Sequence, residues 1–272
     1  MVITKSLYEI VVLIYSLSLI SYFIDFVRRN NKISHVAYYL LLSVWVLITF
    51  ILLFQMFIEK NFPILTLSES MFFYSWILIT FSLIMNHFFK INFIMFFTNF
   101  FSFFILLLSM TLDAKNLVYS KSTEFVHEVL IIHITLTILS YGFLTISFLL
   151  ALMYLIQYYF LKEKKSFKLM WRFTDLYQLD RFSYYAAIIG VPLLLIGLIF
   201  GIVWAYVANA EFYWFDIKTI TSILVLFAYM IYILLKNLNR FSNKQIINYN
   251  VVIFLVLIIN FFLFSSFSQF HF

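Results

Sequence analysis

The sequence predicts an all-α, polytopic integral membrane protein: a bundle of about eight transmembrane helices with the N-terminus and the C-terminus outside. Three observations predict it. Hydrophobic residues make up 65% of the 272 residues and charged residues 11%, with a mean hydropathy of +1.03, whereas a soluble domain carries roughly 25% charged residues to cover its surface. Apolar stretches of about 20 residues, the length that crosses the hydrocarbon core, recur along the chain. The basic residues between those stretches fall unevenly on alternate sides.

The predicted spans run 7–27, 36–58, 64–86, 93–112, 128–160, 183–206, 216–235 and 246–268. The first is too long, and too far from a small-residue cleavage site, to read as a removed signal peptide. The fifth is long enough to tilt strongly or to project beyond the bilayer. No internal repeat or low-complexity linker interrupts the series, so residues 1–272 read as a single transmembrane domain.

Orientation follows from the loops. One set holds Arg28, Arg29, Lys32, Lys90, Lys162, Lys164, Lys165, Lys168, Arg172, Arg181, Lys236, Arg240 and Lys244; the opposite set holds Lys5, Lys60, Lys115, Lys121 and Lys218. The richer set is expected in the cytoplasm. Its longest member, the basic loop 162–181, combines clustered lysines with Trp171 and Phe173, which suits an interfacial segment beside anionic lipid or a docking surface for a cytosolic partner. The net charge of +6 therefore points to the membrane surface and not to nucleic acid.

The absence of cysteine excludes disulfides and thiolate metal sites in this chain. Phe, Ile, Lys, Asn and Tyr are all plentiful and all have AT-rich codons. That composition suggests the cell membrane of a low-GC bacterium and lowers the weight of the aromatic total.

Ionisable groups inside spans are costly and invite a functional reading. Glu69, His133, Asp216 and His271 all fall on the predicted external side. Two histidines on separate helices at one depth would suit the two axial positions of a haem iron, because neutral imidazole is a good ligand there. The segment 204–218 would supply ring faces from Trp204, Tyr213, Trp214 and Phe215, and Lys218 a partner for a propionate. The plainer alternatives stay open: a histidine near a helix end often just hydrogen-bonds at the interface, and a Trp/Tyr cluster often forms an aromatic belt. His35 and His87 fall at cytoplasmic boundaries. His127, expected in an outer loop, is an alternative to His133.

These residues resemble the haem-handling proteins of cytochrome c assembly, the CcsA/CcmC superfamily with its tryptophan-rich WWD loop. LSESMFFYSW (67–76) is similar to the family stretch that places Glu69 and Trp76. IIHITLTILSYGFLTISFLLALMYLIQ (131–157) resembles its helix with an outward-facing His followed by LSYA. LDRFSYYAAIIGVPLLLIGLIFGIVWA (179–205) leads into YWFDIK (213–218) at the family's spacing and uses three of the four glycines in the chain. With His271, the family-like core covers about 67–272.

The chain departs from the pattern at Asn209, Ala210, Phe215, Ile217 and Thr219. The synthetases' inner-side His is absent from YMIYILLKN (229–237). The degenerate loop and the C-terminal FSQFHF (267–272) are most similar to the HemX-type branch. That resemblance implies haem b held by His133 and His271 as axial ligands to the iron. It also implies contacts from Trp204, Tyr213, Trp214, Phe215, Asp216, Lys218 and Glu69. It implies a non-enzymatic regulator that sets the level of glutamyl-tRNA reductase, acting on that enzyme or its protease from the cytoplasmic side. The alternative is a CcsA-like component of a cytochrome c synthetase that presents haem at the outer face. A transporter would be expected to show paired Gly/Pro interruptions, and the only prolines are Pro63 and Pro192.

Overall fold

The computed structural model describes residues 2–28, 31–58, 62–89, 92–111, 124–163, 175–207, 217–238 and 242–264. Among them are eight helices long and apolar enough to cross a membrane. The chain is a multi-pass membrane protein. Helices are the expected form because lipid offers no hydrogen-bond partner to an open backbone. The outward faces are apolar, with Leu13, Phe50, Leu224 and Val252 exposed, while many of the small polar side chains point inward.

The chain divides into two compact units, Met1–Lys115 and Asn116–Phe272. The first contains α1 (Val2–Arg28), α2 (Asn31–Phe57), α3 (Leu67–Phe89) and α4 (Asn92–Thr111). Tyr15 donates to the Asn99 carbonyl at 3.1 Å, and Asn99 Nδ2 donates to Ser82 Oγ at 2.8 Å, which joins α1, α4 and α3. Two tryptophans clasp α2 to α3 reciprocally. Trp45 Nε1 donates to Thr80 Oγ1 at 2.9 Å and Trp76 Nε1 to Thr49 Oγ1 at 2.8 Å, so both indole N–H groups are satisfied inside the bundle.

The second unit contains α5 (Glu124–Glu163), α6 (Leu176–Val207), α7 (Ile217–Leu238) and α8 (Asn243–Ile259), the last continuing as a π-helical turn, Asn260–Phe264. The 40 residues of α5 give a rod of about 60 Å at 1.5 Å per residue, twice the hydrocarbon thickness of about 30 Å. As expected, it outreaches the bilayer core.

Helices α5 and α6 pack as an antiparallel pair, and the glycines of α6 explain how closely. Ser147 and Ser183 exchange hydroxyl-to-carbonyl bonds at 2.8 Å in both directions, and Ser140 Oγ donates to the Gly190 carbonyl at 2.7 Å. A side chain can reach a neighbouring helix's backbone only where that backbone lacks bulk, which is why small residues line membrane helix interfaces. Asn250 of α8 adds Nδ2 contacts to both serine hydroxyls, at 2.9 and 3.1 Å.

Two boundaries differ from expectation. Helix α6 starts at Leu176 and not near residue 183, so the C-terminal end of the anticipated loop 162–181 is helical. The reason is tertiary: Leu179 is fully buried and Asp180 is held by Lys236 of α7 at 2.6 Å, so this polar turn is retained inside the fold. His127 likewise lies within α5 and not in a loop. Most of the basic stretch, residues 164–174, lies outside the described residues.

Candidate functional site

Helix α7 is amphipathic in the inverse sense of a soluble helix. Ser222, Tyr229 and Tyr232 are buried, while Ile220, Leu224, Phe227, Met230, Ile231 and Leu234 face outward. A lysine stands at each end of its inward stripe. Lys236 grips Asp180; Lys218, at the other end, borders a cavity.

That cavity holds about 80 Å³. Its described walls are His133, Thr137 and Tyr141 from α5, Leu198, Gly201 and Ile202 from α6, and Lys218, Thr219, Ser222 and Ile223 from α7. The floor of the site is tied to α8: Thr221 Oγ1 donates to Asn260 Oδ1 at 2.8 Å, and Asn260 Nδ2 donates to Ser222 Oγ at 2.9 Å. Asn260 opens the π-helical turn, a distortion frequent at functional sites.

His133 is the chemical centre of the cavity. Its Nδ1 lies 2.6 Å from the carbonyl oxygen of Gly197. A carbonyl can only accept, so Nδ1 carries the proton, and in a neutral imidazole the lone pair then belongs to Nε2. A backbone carbonyl on one ring nitrogen is the usual outer partner of a metal-ligating histidine. The ring lies against Gly201: a Cβ built there would stand 2.7 Å from Cε1 and 2.8 Å from Nδ1. Thr137, one turn along α5, donates to the His133 carbonyl at 2.7 Å.

The anticipated site residues separate into four groups. His133 and Lys218 line one cavity. Trp204 is half-buried on α6, about one turn beyond Gly201, and is not among the described lining residues. Tyr213, Trp214, Phe215, Asp216 and His271 lie outside the described residues. Glu69 belongs to the first unit, where it completes a capping box: Oε2 accepts from the backbone N–H groups of Leu65 and Thr66 at 3.1 and 3.0 Å, and Thr66 Oγ1 accepts from the Glu69 N–H at 3.2 Å. Sequence reasoning missed Thr137, Tyr141, Ser222 and the Gly197 carbonyl. A backbone acceptor has no residue signature, although the glycine spacing marked where one would be accessible.

A partly buried, carbonyl-tethered imidazole inside a helix bundle defines a multi-pass membrane protein organised around an intramembrane histidine. The chain belongs to the cytochrome c assembly protein family: the family described as Cytochrome C assembly protein matches residues 64–271. It is similar over nearly its whole length to proteins named HemX. The one from Bacillus subtilis (strain 168) is 40% identical over 260 residues, covering 96% of this chain and 94% of the relative. The one from Brevibacillus brevis is 34% identical over 265 residues, covering 97% of each. The resemblance carried by the motifs around Glu69, His133 and Trp204 agrees with both findings.

Proposed function

We propose that this chain is a non-enzymatic, haem-responsive regulator in the bacterial cytoplasmic membrane, which binds haem b and sets the level of glutamyl-tRNA reductase. Bound haem would supply an iron whose axial positions take imidazole nitrogens. The observation that carries the reading is the seat of His133, whose Nδ1 donates to Gly197 and leaves the lone pair on Nε2, in a cavity that Lys218 also borders. The residues present fit one axial ligand and a cationic partner for a propionate.

The cavity of about 80 Å³ is smaller than the roughly 300–1,000 Å³ of small-molecule pockets. It would therefore hold only part of such a group. The proposal assigns the remaining contact to Tyr213, Trp214, Phe215 and Asp216, and the second axial position to His271. Regulation requires that haem bind two packing states of the bundle with different affinity. The basic segment 162–181 on the cytoplasmic side is the proposed output.

The test is purification after expression with excess haem, followed by an absorption spectrum. A Soret band lost in the His133→Ala, His271→Ala double variant is expected, and no band in the wild type removes the haem reading. The family description favours a second reading, a synthetase component that presents haem to apocytochrome c. Deleting the gene separates the two. Altered glutamyl-tRNA reductase abundance with normal cytochrome c supports the regulator, and loss of cytochrome c supports the synthetase.

A further inference from the structure

We propose that Gly197 and Gly201 are positioning residues for the ligand nitrogen of His133: the Gly197 carbonyl fixes which ring nitrogen carries the proton, and the bare surface of Gly201 fixes the plane of the ring. The inference rests on the haem reading above and concerns how the imidazole is presented.

Close packing alone accounts for the third glycine of α6. A Cβ at Gly190 would stand 3.0 Å from Leu144 Cδ2 and Cγ and 3.2 Å from Phe143 Cβ, none of them a ligand group, and the Gly190 carbonyl accepts from a serine hydroxyl with no ligand role. At Gly201 the obstacle is the imidazole itself, with Cε1, Nδ1 and Nε2 at 2.7, 2.8 and 3.3 Å from a built Cβ. The ring cannot swing away without losing its 2.6 Å bond to Gly197. The carbonyl and the missing side chain are one helical turn apart, so together they set both rotation and tautomer. A full hydrogen bond from Nδ1–H also makes Nε2 a stronger donor to a metal.

The test uses the purified, haem-loaded protein. In His133→Gly, added imidazole can both ligate iron and donate its second N–H to Gly197. 1-Methylimidazole offers the same ligating nitrogen but has no N–H to donate. Imidazole should restore the Soret band at about ten-fold lower concentration than 1-methylimidazole. Equal restoration, or restoration by neither, overturns the role of the carbonyl.

Gly201→Ala should lower haem retention about 10–100-fold, while Gly190→Ala keeps the wild-type spectrum. A wild-type spectrum in Gly201→Ala overturns the role of the bare surface. If that variant does not fold, His133→Gly with Gly201→Ala replaces it, since no ring then meets the new methyl group. Imidazole should restore this double variant less well than His133→Gly alone, and equal restoration counts against the proposal. A wild-type protein without a Soret band removes the haem reading and this inference together. A band that needs His133 but ignores the glycine changes and the methyl group removes only the inference.

Discussion

Lys236 holds both carboxylate oxygens of Asp180 at 2.6 Å and also donates to Asn243 Oδ1 at 3.3 Å. One ammonium group therefore joins α6, α7 and α8. Removing one partner of a buried pair leaves an uncompensated charge, at a cost of about 3–5 kcal/mol. The side chains keep 13% and 11% exposure, so the lower end applies. Lys236→Met should lower the thermal midpoint in detergent, and Asp180→Leu with Lys236→Met should recover most of the loss. A double variant as unstable as the single one would contradict this account.

The α5–α6 contact predicts an order among glycine variants. A Cβ at Gly197 would meet Thr137 Oγ1 at 2.7 Å and the Thr137 backbone nitrogen at 3.3 Å. Backbone cannot yield as Leu144 yields beside Gly190. Gly197→Ala should therefore destabilise by about 1–3 kcal/mol through overpacking, and Gly190→Ala by less. Reversal of that order in detergent unfolding would show that the helix pair adjusts more freely than the contacts imply.

The capping box gives Glu69 a defined structural task. Glu69→Gln keeps an acceptor for the Leu65 and Thr66 N–H groups, whereas Glu69→Ala loses both bonds, at about 1–2 kcal/mol. Melting should fall for Ala and hold for Gln. Loss of haem in Glu69→Gln with unchanged melting would instead make the carboxylate charge a cofactor contact.

Asn250 is fully buried, yet its removal should be mild. The serines it touches already satisfy one another through reciprocal carbonyl bonds. Hydrogen bonds between membrane helices average about 0.6 kcal/mol, so Asn250→Leu should cost about 1 kcal/mol. Ser147→Val, which breaks into that exchange and adds bulk at the contact, should cost more. Equal losses would make Asn250 the organiser of the cluster.

The sequence revealed the spans because apolar length is a strong signal: all eight expected segments correspond to helices. It revealed His133 and Lys218 as candidates because charge and imidazole are rare in such stretches. It did not reveal the Gly197 acceptor, the Asp180–Lys236 pair or the Asn260 clasp, since each depends on which helix faces which. Charged Lys236 reads equally well as a topological marker at a membrane boundary. The start of α6 escapes hydropathy for the same reason: Asp180 and Arg181 register as loop-like until the partner of Asp180 is known.

The inward stripe of α7 has a consequence for biogenesis. In isolation this helix would turn the hydroxyls of Tyr229 and Tyr232 toward acyl chains, which offer them no partner, whereas Ser222 keeps its bond to the Lys218 carbonyl. It is a poor candidate for independent release from the insertion machinery. Its companions α6 and α8 are made just before and just after it, so α7 would wait at the translocon until α8 emerged. Translation of the last helix would then complete the membrane insertion of the one before it.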